Sequence, residues 1–246
     1  CTSNLPDVAV VPSENFNAIA YTGTGANQVV TGLGFQTDFL WFKNRSLGYG
    51  HILLDTVRGL SKPLASDDSD AEYTFAYVSS VSNGSITTAS SQYPTNNTGS
   101  AIVTWNWKAN GSGSSNTDGS INTTKTSANV DAGFSIVTYS GNGTAGATVG
   151  HGLSKAPEMI MVKRRNASEM GWRVLHHANS PSYHLVLDTN GARASSSSIW
   201  NNTAPTADVF SLGGGGSTNN SSGTYIAYCF HSVDGYSAVG SYVGNG

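Results

Sequence analysis

Charge is scarce in this chain. Asp, Glu, Lys and Arg make up 11% of its 246 residues, and the net charge is −3. Soluble domains carry roughly 25% charged residues, so something else covers this surface. There is no basic excess to neutralise a phosphate backbone, which excludes nucleic acid as an expected partner. No apolar run approaches the roughly 18 residues of a membrane-spanning helix. No charged start followed by an apolar stretch marks a signal peptide. The two cysteines, Cys1 and Cys229, are too few for a disulfide framework and are not expected to pair. Cys1 reads either as the lipid-bearing start of a mature lipoprotein or simply as the place where a fragment begins. Cys229, inside the apolar run Tyr225-Ile-Ala-Tyr-Cys-Phe230, is expected as a small buried core residue.

Catalytic patterns are missing as well. The four glutamates, Glu14, Glu72, Glu158 and Glu169, suggest no acid/base pair, and no Gly-x-Ser-x-Gly elbow occurs. No phosphate-cradling glycine motif opens a helix. His176, His177 and His184 lack the Cys or carboxylate that would complete a zinc pattern. The chain is therefore expected not to be an enzyme.

What is abundant is Gly, at 29 residues, with Ser, Thr and Asn. These residues favour turns and exposed strand faces over helices, because their side chains compete for backbone hydrogen bonds. An internal repeat orders them. Phe16, Tyr21, Gly23 and Gly25 match Phe134, Tyr139, Gly141 and Gly143, each 118 positions later. Leu40, Lys43 and Arg45 match Ile160, Lys163 and Arg165 at an offset of 120, and Leu64 and Asp67 match Leu185 and Asp188 at 121. Trp105 and Trp107 match Tyr228 and Phe230 at 123. So slow a drift is the mark of a duplication.

The matched segments are rich in β-branched and aromatic residues and end in Gly-x-Gly turn signals. No sustained period of 3.6 residues predicts a long helix. The expected fold is all-β: two tandem diverged copies of a β-sandwich domain, jelly-roll or lectin-like, with a closed barrel as second choice. The expected organisation runs from a lead-in at 1–15 to copy one at 16–111. A Gly/Ser/Asn/Thr-rich linker or surface excursion follows at 112–133, then copy two at 134–235. Tyr242-Val-Gly-Asn-Gly246 repeats Tyr139-Ser-Gly-Asn-Gly143, so 236–246 reads as the start of a further repeat.

Three groups of residues could carry recognition. Asp67, Asp68, Asp70 and Glu72 could cage a calcium ion through carboxylate oxygens. They lack the glycine and spacing of an EF-hand, and copy two has lost most of that charge, so a solvated loop competes. Lys43/Lys163 and Arg45/Arg165 could hold a carboxylate or phosphate, or merely end buried strands and blunt sheet edges. Trp200, beside Asn201 and Asn202, is the best glycan candidate: an indole stacks on a sugar face while amides bond its hydroxyls. Trp105 and Trp107, two apart on one strand face, are expected in the core. No other cofactor is expected.

Leu40-Trp-Phe-Lys-Asn-Arg-Ser46, Leu54-Asp-Thr-Val-Arg-Gly59, Thr104-Trp-Asn-Trp-Lys-Ala-Asn-Gly111 and the stretch from Gly133 to Leu153 resemble a repeat domain of marine-bacteriophage tail-fibre-like and virion structural proteins. The segment from Asp208 to Gly246 resembles the end of the same repeat, and Cys1-Thr-Ser-Asn-Leu-Pro6 an internal junction of such proteins. The resemblance implies a virion-surface component, extracellular, with other virion proteins as partners, homo-oligomeric assembly and a role in attachment to a host surface glycan. It supplies no catalytic residues. A bacterial cell-surface adhesin module and a glycosidase-associated carbohydrate-binding domain are the competing readings.

Overall fold

The structure, a computed structural model, describes residues 10–90 and 92–245. The readings of Cys1, and with them its pairing to Cys229, lie outside those residues, as does most of the 1–15 lead-in. The chain is β-rich. Among the described residues, helix is confined to a 3-10 turn at Pro12–Glu14 and three four-residue turns, α1 (Tyr93–Asn96), α2 (Ser197–Trp200) and α3 (Gly216–Asn219).

The first half contributes β1 (Phe16–Thr22), β2 (Gln28–Thr31), β3 (Phe39–Asn44), β4 (Ile52–Asp55), β5 (Leu64–Ala65), β6 (Val78–Ser82), β7 (Ser85–Thr88) and β8 (Ala101–Trp107). They form a five-stranded sheet ordered β1-β8-β3-β4-β5 and a three-stranded sheet ordered β2-β7-β6. The second half contributes β9 (Lys125–Asn129), β10 (Phe134–Ser140), β11 (Ala147–Gly150), β12 (Met159–Arg164), β13 (Arg173–His176), β14 (Tyr183–Val186), β15 (Ala194–Ser195), β16 (Val209–Leu212) and β17 (Thr224–Phe230). Its large sheet runs β15-β14-β13-β12-β17-β10-β9, and β11 pairs with β16. With β9 and β15 set aside, the large-sheet order is that of the first half. The register agrees too: Phe39 faces Trp107 and Trp41 faces Trp105, as Met159 faces Phe230 and Met161 faces Tyr228.

The turns repeat with the strands. Tyr21 Oη donates to the Thr95 carbonyl at 2.5 Å, and Tyr139 Oη to the Thr218 carbonyl at 2.8 Å. The next residue, Asn96 or Asn219, accepts from the backbone of Thr24 or Asn142, both at 2.9 Å. A Cβ on Gly23 or Gly141 would collide with the Asn97 or Asn220 carbonyl, which is why the matched position is glycine in both halves. Asp67 accepts from His51 N–H at 2.9 Å, and Asp188 from Trp172 N–H at 2.7 Å.

Strand alternation sends neighbouring residues into different cores. In β3, Leu40 and Phe42 join Leu33, Val78 and Ile86 beneath the three-stranded sheet. Phe39 points the other way, into a cluster with Leu53, Leu64, Phe134, Met161, Trp172, Ile226 and Tyr228. That cluster draws on both halves, so the two large sheets pack on each other. On the far side of the second one, Val137, Tyr139, Val162, Trp200, Phe210 and Leu212 fill a third core. The second large sheet is thus covered on both faces, and β10 is buried at six of its seven residues.

One expectation needs correcting. Residues 112–133 do more than link: Ile121 is buried in the third core and Lys125–Asn129 is β9, paired along the edge of β10. An edge strand is held by backbone hydrogen bonds on one side, so it needs no apolar run to mark it in the sequence. Cys229 is buried as expected, and burial pushes its thiol up to about 12. Residues 238–245 form no strand, and Tyr242 is 94% exposed.

Candidate functional site

The structure separates Trp200 from any sugar. Its indole is wholly buried in the second-half core, closing α2, and its Nε1 has no hydrogen-bond partner among the described residues. Asn201 and Asn202 both adopt left-handed backbone (φ +53°), which asparagine tolerates better than most residues. They turn the chain out of α2; with Trp200 inside, they do not frame a stacking platform. The apolar bulk of tryptophan outweighed the polar neighbourhood that suggested exposure.

The acidic stretch has a different task. Glu72 binds Arg165 of the second half at 2.8 and 2.9 Å and Arg58 at 3.0 Å. Its backbone N–H also donates to the Arg165 carbonyl at 2.7 Å. Three residues earlier, the Ser69 carbonyl accepts from Lys163 Nζ at 2.8 Å, and Ala71 N–H reaches Ser168 Oγ at 3.2 Å. Trp172 Nε1 donates to the Ala65 carbonyl at 2.7 Å. This loop is a clasp thrown by the first half over the second.

Behind it lies a buried ionic centre. Arg58 pairs with Asp55 at 2.6 Å, both side chains fully buried, and Tyr228 Oη donates to Asp55 at 2.8 Å. Burial alone would lower the Arg58 pKa, but Asp55, Tyr228 and Glu72 together raise it. Burial would likewise raise Glu72, yet its bonds to Arg165 and the Arg58 charge hold it below the usual carboxylate range. Lys163, wholly buried, is lowered to about 8 by desolvation, which nearby Asp188, Asp68 and Asp70 only partly offset. Asp67 Oδ1 is taken by His51 N–H, and Asp68 Oδ1 by Asp70 N–H at 3.0 Å. Among the described residues no group of three His, Cys, Asp or Glu side chains is placed to hold a metal ion.

An aromatic feature that sequence reasoning missed lies on the first large sheet. Trp41 and Trp105 are cross-strand neighbours on the face that carries Phe39 and Trp107: Trp41 packs at the margin of the core between the halves, and Trp105 lies outside that core. Both are half-buried. Trp41 Nε1–H donates to His51 Nδ1 at 2.7 Å, and the His51 ring lies parallel to Trp105 within 7°. Burial, then Lys43, keep His51 below its ordinary pKa. Lys43 Nζ donates to the Tyr49 carbonyl at 2.6 Å. Arg45 follows on the same edge, exposed and without an ion pair among the described residues. Trp107 is half-buried and packs against the core between the halves, ringed by Phe16, Phe39, Phe134 and Phe230. Trp105, expected there too, does not. The sequence carried no direct signal of this, because the acidic loop beside Lys43 and Arg45 in the chain answers Lys163 and Arg165 of the second half instead.

A family model described as a domain of unknown function, DUF7483, matches residues 11–246. No curated protein matches the chain.

Proposed function

As the chain belongs to the DUF7483 family, whose function is undefined, we propose its role from geometry and sequence: a non-enzymatic structural segment of a virion surface appendage. In this reading its two halves are diverged copies of one β-sandwich, each a large sheet backed by a small one. They space other domains along an oligomeric fibre and attach to host surface glycan. The observation that carries the reading is the clasp between the halves. Glu72 bridges Arg58 of the first half and Arg165 of the second, and Asp55, paired with Arg58, accepts from Tyr228 of the second half; such a junction suits a spacer that keeps its two halves in one fixed geometry. The repeat register and the resemblance of strings such as Thr104-Trp-Asn-Trp-Lys-Ala-Asn-Gly111 to phage fibre proteins point to the appendage.

The test is location. Antibodies against this chain, applied to purified particles from the source culture and viewed by electron microscopy, should decorate a tail or fibre. Peptides of the chain should appear in mass spectra of those particles. Label confined to the bacterial envelope would make it an adhesin module instead.

A further inference from the structure

The second half shows how the face equivalent to the Trp41–Trp105 surface is covered when a neighbour packs on it. There, two rows cross the sheet: Ile136, Tyr228, Met161 and Thr138, Ile226, Lys163. All six are buried. The first half supplies the cover: the Phe39 ring stacks on Tyr228 at 4.2 Å, the Ser69 carbonyl meets Lys163, and the Glu72 carboxylate meets Arg165. The face therefore takes a ring, a neutral oxygen and a carboxylate, in fixed order.

The same rows in the first half are Ala18, Trp105, Trp41 and Ala20, Val103, Lys43. None of these six is buried, and both alanines are exposed. Lys43 keeps the bond that Lys163 makes within its own half, to Tyr49 as Lys163 to Met170 (2.8 Å). No counterpart of the Ser69 carbonyl or the Glu72 carboxylate reaches Lys43 or Arg45 among the described residues. The side chains that interlock with a protein neighbour have shrunk: Ile136, Thr138 and Ile226 are replaced by Ala18, Ala20 and Val103. What remains is a floor of small side chains with two half-buried indoles in it, Trp41 fixed by its bond to His51. Close-packed protein cores need ridges to interdigitate; a pyranose presents a flat apolar face that an indole can cover.

We propose that this face binds an acidic oligosaccharide, a pyranose ring lying on Trp105 and Trp41 and a uronic carboxylate held by Arg45 and Lys43. A guanidinium takes a carboxylate bidentately, as Arg165 takes Glu72. The site gives the attachment role above a place and a ligand class, and it rests on that reading. Affinity at one such open face is weak, and repetition along an appendage raises it through effective concentration.

Oligogalacturonate, with dextran as the neutral control, is the probe, titrated calorimetrically into the full chain at low and high salt. Binding to oligogalacturonate, weakened by salt and absent for dextran, is expected. Arg45→Ala, at an exposed position, should reduce affinity about tenfold or more, as should Trp105→Ala, while Lys155→Ala should leave it unchanged. Thermal melts show that the variants are folded. No binding by a clustered multivalent form, or binding indifferent to both Arg45→Ala and Trp105→Ala, overturns the proposal. So does self-association by sedimentation that Arg45→Glu abolishes without any sugar binding, which would make this a protein-docking face. Failure here with the chain still found on particles removes the sugar site alone; sugar binding by a chain absent from particles removes the appendage reading alone.

Discussion

Glu72 and Arg165, one in each half of the chain, are joined twice: carboxylate to guanidinium at 2.8 and 2.9 Å, and backbone N–H to carbonyl at 2.7 Å. The backbone bond survives any substitution except proline, so side-chain variants weaken this clasp without abolishing it. Arg165, partly exposed, is expected to lose about 1–2 kcal/mol on Arg165→Ala. Arg58 is wholly buried, and Arg58→Met strands Asp55; a loss of about 3–5 kcal/mol is expected. Urea unfolding at neutral pH measures both, and a larger effect for Arg165 would contradict this ranking.

Acid should loosen the clasp. The Glu72 pKa in the folded chain lies below the ordinary glutamate value, held there by its bonds to Arg165 and the Arg58 charge. The unfolded state therefore binds more protons between the two values, and the stability Glu72 contributes is present above the unfolded pKa and lost as pH falls through the folded one. Wild type and Glu72→Gln should differ in melting temperature at pH 7 and converge towards pH 3. A constant gap over that range would refute the assignment.

Lys163 has the opposite consequence. Its folded pKa of about 8 lies below the ordinary 10.5. Between those values the unfolded state again holds more protons, so this residue makes stability rise with pH. Relative to Lys163→Met, the wild type should gain stability from pH 8 to 10; a loss would sink the argument.

The paired asparagines offer a symmetric test. Asn96 and Asn219 are both wholly buried and hold equivalent turns. Each alanine variant removes the side-chain bonds that hold the turn's partly buried backbone groups, at about 1–3 kcal/mol in all. Similar losses in the two are expected. A large loss in one and none in the other would mean that the turns are not equivalent.

Much of this β-rich fold could be read from the sequence because matched positions in the two halves doubled the signal. Tyr21 and Tyr139, or Asp67 and Asp188, recur because each satisfies the same backbone groups in its own half. The edge strand β9 was hidden, since Lys-Thr-Ser-Ala-Asn carries no apolar period. Trp200 misled because composition around a residue says little about the side its ring takes in a three-dimensional core. The acidic run was legible as charge but not as function, for its partners Arg58 and Arg165 lie 14 and 93 residues away. The open indole face became legible only when copy two showed what covers the same positions.

The most direct test of the central claim, that two copies of one unit are locked into a single body, is equilibrium urea unfolding. It is followed on the same samples by tryptophan fluorescence and far-ultraviolet circular dichroism. Three of the five tryptophans, Trp41, Trp107 and Trp172, pack in or against the core between the two large sheets, so fluorescence reports chiefly on the junction, whereas dichroism reports on strands throughout. Coincident single transitions for the wild type are predicted, with the two probes separating in Arg58→Met. Two resolved transitions in the wild type would show that the halves unfold independently, and would contradict the account.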